Sequence, residues 1–417
     1  MEIRSDVVTR FVKYVQVDTQ SQEPENQAGP HPYPSTEKQK DLGYMLVQDL
    51  NEIGLEHVEI DQWGYVTATL PSNVAHEVPV IGLIAHMDTS PAASGKDVKP
   101  LFHENYQGGP IHYPDAPWQV LDPADCPELG NQIGNTIITS SGTTLLGADN
   151  KAGVSEIVSA IRYLKENPEI RHGAIRVGFT CDEEVGAGVE HFDIEKFGAQ
   201  YAYTVDGETV GIIENETFSA DSAELEVKGV EIHPGFAKGR LVNAALIAAH
   251  FITRLPRESA PETTDGRQGY LHAYTVKGGV DRTVVKMLVR DFDDEGLTRF
   301  EDLLRSIADD LRREFPKAEI NLTVNEQYRN MRMHIDKHPR VIEAAMEAVK
   351  AAGREPTLGV IRGGTDGSRL SAMGLPTPNI FTGGHNFHST REWVSAEDMV
   401  FTVQTLVELA RIWALPR

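Results

Sequence analysis

The sequence predicts an α/β protein: a mixed, largely parallel sheet flanked by helices, carrying an inserted ferredoxin-like α+β lid domain. Three observations predict it. Short apolar runs alternate with helix-period stripes through the first half of the chain, as in sheets whose strands are joined by crossover helices. After about Thr217 the order becomes strand–helix–strand–strand–helix–strand, the ferredoxin-like sequence of elements. From Tyr328 the first pattern returns, so the main domain is expected from residues 1–217 and 328–417, with 218–327 inserted. A length of 417 residues also exceeds one ordinary hydrophobic core.

Val7, Val8, Phe11, Val12 and Val15 recur at helical spacing, so Asp6–Val15 is expected to be a helix. A proline-rich polar loop covers Ser21–Ser35. Leu42, Leu46 and Leu50 line a second helix, Thr36–Ile53, which Gly54 stops. Val58–Asp61, Tyr65–Leu70 and Pro79–Ala85 read as strands. Val80-Ile-Gly-Leu-Ile-Ala has no polar position, as a strand covered on both faces requires. Ser94–Gly134 is rich in proline and glycine and reads as a long ordered excursion. Val154, Ile157, Val158, Ile161 and Leu164 stripe a long helix starting at Asp149–Gly153, and Ala174–Thr180 and Ala202–Val205 are further buried strands.

In the inserted part, Ala223–Lys228, Ala273–Lys277, Val284–Asp291 and Glu319–Val324 read as strands, and Asn243–Leu255 and Leu297–Glu314 as helices. Helices Val341–Ala352 and Ser395–Ile412 complete the main domain.

Composition excludes several classes of function. Acids outnumber bases 62 to 39, a formal charge of -23 that repels nucleic acid and anionic membrane. No apolar run approaches the roughly 20 residues of a bilayer span, and the opening residues lack a secretory pattern. Only Cys126 and Cys181 are present, which suits a reducing compartment, so a cytoplasmic protein is expected.

The chemistry sits at strand ends. His86 and Asp88 close a buried strand, the edge at which open α/β sheets bind ligands. An acid two residues beyond a histidine can hold one ring nitrogen while the other binds a metal. Asp149 opens the long helix, where a carboxylate can cap the helix or share its two oxygens between two cations. Glu183 and Glu184 follow a second buried strand. Adjacent acids repel there unless cations compensate, one carboxylate coordinating and the other taking a proton from water. Asp206 ends a third such strand, and His385 and His388 compete within the glycine-rich run Phe381–His388. Each alone has an ordinary reading as a hydrogen-bonded strand end, a helix cap or a solvated acidic loop. Four strand ends that each deliver an imidazole or a hard oxygen point instead to a two-metal hydrolytic site.

Five stretches carry a family resemblance: His86-Met-Asp-Thr-Ser-Pro91, Gly147-Ala-Asp-Asn-Lys-Ala-Gly153, Asp182-Glu-Glu184, His233-Pro-Gly-Phe-Ala-Lys-Gly239 and Arg362-Gly-Gly-Thr-Asp-Gly-Ser-Arg-Leu370. Across nearly its whole length the chain resembles the M20 family of di-zinc metallopeptidases, and the last two stretches resemble its tripeptide aminopeptidase branch. The resemblance implies two Zn2+ ions, replaceable by Co2+ or Mn2+. It implies Asp149 as the bridging ligand, His86 and Asp206 on one ion, and Glu184 and His388 on the other. It makes Glu183 the general base and Asp88 the support of His86, and it prefers His388 to His385. Ser389-Thr-Arg-Glu-Trp393 departs from the glycine usual after that histidine.

His233, Arg290 and Arg362 match substrate-holding positions. Their ordinary readings are a turn residue before Pro234, for His233, and a surface ion pair of Arg290 with Asp291. The implied activity is removal of the first residue from short peptides, chiefly tripeptides, with the inserted domain closing on hinges near Thr217 and Gln327. Short peptides are the expected partners, and a homodimer stays open. Two rivals remain: an M20 dipeptidase or N-acyl amino acid deacylase, and a non-catalytic metal- or peptide-binding protein. The latter has no use for Glu183.

Overall fold

The computed structural model describes residues 2–23 and 32–416, so residues 24–31 of the Ser21–Ser35 loop lie outside the described residues. The chain forms two compact units: Met1–Asn215 with Met333–Gly359 and Thr365–Arg417, and Glu216–Arg332 with Val360–Gly364. No helix among the described residues is long and apolar enough to cross a membrane.

The first unit is built on an eight-stranded sheet. In space its strands run Glu56–Ile60, Val66–Leu70, Ile175–Thr180, Ile81–His86, Tyr201–Gly207, Asn379–Phe381, Ile212–Thr217 and Thr357–Ile361. The four strands from Ile175–Thr180 to Asn379–Phe381 are parallel. Antiparallel pairs flank them on both sides. Every residue of Ile81–His86 is buried, which explains why the strand carries no polar position before His86. Helices Ile3–Val15, Ala148–Glu166 and Ala396–Trp413 pack on one another, and Gln39–Ile53 ends at Gly54 in the left-handed conformation, φ 83°.

The excursion is ordered by its own small core. Leu101–His103 joins Ile137–Thr139, Trp393–Ser395 and Gly384–His385 in an antiparallel sheet, and Tyr106, Tyr113, Leu121, Leu129 and Trp393 cluster there.

The second unit follows the ferredoxin-like order. Its sheet runs Tyr270–Gly278, Arg282–Asp291, Ser219–Lys228, Glu319–Tyr328, antiparallel throughout. Helices Ala244–Thr253 and Asp294–Glu314 bury Ile247, Phe251, Leu304 and Leu311 against Leu225, Val227, Val285 and Met287. The last strand runs four residues past the expected Val324, and Tyr328 at its end still pairs with Ala220.

One packing contact bears directly on the site. The helix Ala148–Glu166 presses so closely on the strand Tyr201–Gly207 that a Cβ on Gly153 would stand 1.9 Å from the Val205 carbonyl oxygen. Backbone cannot yield as a flexible side chain does. Gly153→Ala is therefore expected to cost at least the ~1–3 kcal/mol of ordinary overpacking, read as a lower urea midpoint. An unchanged midpoint would contradict this contact.

Candidate metal centre and active site

The strands Ile81–His86 and Ile175–Thr180 are parallel neighbours in register, His86 opposite Thr180. The turns that follow them therefore lie side by side. Asp88, wholly buried, uses that proximity: its Oδ1 accepts from the Glu183 N–H at 3.0 Å and its Oδ2 from the Glu184 N–H at 3.2 Å. The Nδ1 of His86 lies 3.1 Å from the Asp88 carbonyl and 3.3 Å from its carboxylate, so backbone and side chain both orient the ring. Holding the glutamate turn is a second role that sequence reasoning missed. Asp182, left-handed at φ 61°, secures the other side of that turn by accepting from Ser35 and from the Gln39 amide at 2.6 Å.

Asp149 stands at the head of the helix Ala148–Glu166, but its backbone (φ -85°, ψ 103°) is not helical. Capping falls to Asn150, whose Oδ1 accepts from the Gly153 N–H at 3.2 Å. The Asp149 carboxylate is thereby free for other partners. Its Oδ1 lies 3.0 Å from His86 Nε2, and its Oδ2 lies 3.1 Å from His388 Nε2. His86 Nε2 is also 3.3 Å from Asp206, and His388 Nε2 is 2.7 Å from Glu184. One continuous cluster results: Asp206, His86, Asp149, His388, Glu184. Donor atoms of His86, Asp149 and Glu184 all fall within 4.8 Å of one another. His385, by contrast, is buried and stacks on Trp393 with ring centroids 4.5 Å apart. His388 reaches the cluster from a left-handed backbone, φ 60°.

Burial dominates the electrostatics. It pushes Glu183 well above the usual carboxylate range, helped by Asp206, Asp366 and Glu184 and opposed by His86. It drives Glu184 to about 8, with Asp149 adding to the rise. Asp206 rises to about 6 for the same reason, although His86 pulls it down. Burial acts on Asp149 too, but hydrogen bonds from His388 and His86 outweigh it and hold that acid below the usual range. Hydrogen bonds to Asp149 and Glu184 lift His388 to about 11. Burial lowers His86, yet Asp206 and Asp149 overcome it and raise the ring well above its ordinary value.

These residues fit a pair of divalent cations. Imidazole nitrogens and carboxylate oxygens are donors that zinc accepts, and compressed acids are what a cation relieves. Glu184 Oε1 is buried with no hydrogen-bond partner among the described residues, an orphaned acceptor of the kind a cation satisfies.

His233, Arg290 and Arg362 all belong to the second unit. His233 is exposed, and its Nδ1 accepts from the Gly235 N–H at 3.1 Å, so the neutral ring carries its proton on Nε2. Arg290 is not the surface partner of Asp291. It is buried, donates to the carbonyls of Asp221 and Val289 and to Gln327, and lies 5.7 Å from the Tyr328 ring centre. Arg362 donates to Thr264, Gly266 and Gln268 and lies 5.1 Å from the Phe218 ring centre. Both guanidiniums are held by neutral oxygens, which leaves their positive charge for an anion.

Comparison with known proteins agrees with this chemistry. The model of peptidase family M20/M25/M40 matches residues 147–412. Peptidase T of Geobacillus sp. (strain WCH70) is 47% identical over 99% of both chains. The crystal structure of the aminopeptidase PepT from Bacillus cereus aligns with a TM-score of 0.76 and 24% identity, covering 99% of each chain. A tripeptidase structure from Staphylococcus aureus aligns with a TM-score of 0.74 and 22% identity, over 99% of this chain and 98% of that one. Matching in sequence end to end and in fold, the chain belongs to peptidase family M20/M25/M40, in its peptidase T group.

Proposed function

We propose that this chain is a metal-dependent aminopeptidase that removes the first residue from short peptides, chiefly tripeptides. The observation that carries the reading is the Asp149 carboxylate, which turns one oxygen to His86 and the other to His388. His86, Asp206 and one oxygen of Asp149 would hold one Zn2+, and the other oxygen with Glu184 and His388 the second. Co2+ or Mn2+ would suit the same donors. Such ions, when bound, supply Lewis-acid polarisation of a carbonyl and of a water molecule.

The chain's own residues do the rest. Glu183 takes a proton from the attacking water as its oxygen closes on the first peptide carbonyl, then returns it to the leaving amine. Asp88 keeps that carboxylate in place through the Glu183 N–H while it orients His86. His233 donates its Nε2 proton as a hydrogen bond to the developing oxyanion. Arg290 and Arg362 receive the carboxylate end of the peptide. Similarity to peptidase T, 47% identical in Geobacillus sp. (strain WCH70), supports the preference for short peptides. The reaction belongs in a reducing cytoplasm, which suits two free, buried cysteines, Cys126 and Cys181.

The deciding experiment compares turnover of a free tripeptide with its N-acetylated form, with metal content measured on the same sample. Turnover of the free peptide and loss on blocking the amine are expected. Equal rates on both would overturn aminopeptidase action, and faster cleavage of N-acyl amino acids in the same panel would favour a deacylase.

A further inference from the structure

We propose that Glu392 is a positioning residue that clamps the loops bearing Asp149 and His388 into a single cation-binding geometry; this rests on the metal site proposed above. Glu392 lies four residues beyond His388 and is 1% exposed. Its carboxylate faces backbone rather than a cationic side chain. Oε2 accepts from the N–H groups of Leu146 and Gly147, each at 2.8 Å, and Oε1 accepts from the N–H of Asp149 at 2.8 Å. Three charge-assisted bonds to one buried acid make an unusually firm attachment.

Both loops need such an attachment. Gly147 is left-handed at φ 82° and Asp149 is not helical, so regular structure does not hold this segment. At the other end His388 and Asn386 are left-handed non-glycine residues, a conformation that costs ~1–2 kcal/mol per residue. The Glu392 N–H donates to the Ser389 carbonyl at 3.3 Å, closing the turn behind His388. Trp393, next in the chain, is fixed in the strand Trp393–Ser395 that pairs with Ile137–Thr139. Glu392 therefore ties a strained ligand loop to the helix entry that presents Asp149. Neither loop alone sets the spacing between His388 and the Asp149 carboxylate.

Glu392→Gln tests the clamp because it nearly preserves shape. The amide oxygen can still accept from Leu146 and Gly147, but the amide nitrogen then meets the Asp149 N–H, donor against donor. Zn2+ affinity of the full-length protein would be measured by competition with a chromogenic chelator, alongside kcat, KM and the thermal midpoint. Glu392→Gln is expected to bind Zn2+ ~10–100-fold more weakly, the range for residues that orient metal ligands. Excess Zn2+ should restore kcat with KM for tripeptide unchanged. Glu392→Asp, which keeps the charge on a shorter stem, is expected to fall between wild type and Glu392→Gln, and it carries the test should the latter not fold. Wild-type Zn2+ affinity in the folded variant, with only the thermal midpoint lowered, would overturn the clamp. Asp149→Asn serves as the reference: equal Zn2+ affinity in wild type and Asp149→Asn would overturn the metal-site reading, and the clamp with it.

Discussion

Glu183→Gln is expected to lower kcat by ~10²–10⁴-fold, the usual contribution of a general base, while leaving fold and Zn2+ content unchanged. The Glu183 N–H is held by Asp88, a contact that the substitution does not touch, so the turn should keep its shape. A glutamine side chain fills the same volume but cannot take a proton from water. Steady-state kinetics on a tripeptide, with metal content and circular dichroism on the same sample, would check it. Activity within a few-fold of wild type would remove Glu183 from the base role and leave Asp366, buried near it and raised to about 7 by burial, as the carboxyl to examine next.

Asp149→Asn should have the other largest effect. An amide presents one acceptor and one donor group, so only one of His86 and His388 can keep an oxygen of residue 149 as its partner. Loss of Zn2+ affinity beyond the ~10–100-fold expected when an orienting residue is removed is the predicted result, with activity falling in parallel. The fold should survive, since Asn150 rather than Asp149 caps the helix. Retention of two tightly bound ions would show that Asp149 is not shared between them.

Much of this was legible in the sequence, and particular residues show why. The strand Ile81–His86 was readable because, covered on both faces, it stays apolar until His86 at its carboxyl end. The second unit was readable from the order of its elements, which is independent of exact boundaries. The helix Asp366–Met373 was not, being eight residues long with a weak stripe and with Ser368 where a capping box is read from Glu or Gln. Ile212–Thr217 escaped because its apolar part is only Ile212-Ile213.

At the site, residue types at strand ends gave the candidates, but partners required the order of strands in space. Asp88 and Glu183 are far apart in sequence and meet only because their strands are neighbours. The ion pair of Arg290 with Asp291 could have been rejected beforehand, since successive residues on a strand point to opposite faces. Glu392 carried no signal: a lone glutamate after an exposed-looking Ser389-Thr390-Arg391 reads as surface.

The in-register pairing of His86 with Thr180 also bears on how this chain can change in length. Met87 alone separates His86 from Asp88, and Cys181 and Asp182 alone separate Thr180 from Glu183. A one-residue insertion or deletion in either connection would turn an acid away from its partner, as a register slip does in any sheet. Indels between homologues should therefore avoid both connections and collect at solvent-facing bends such as Gln107–Pro110.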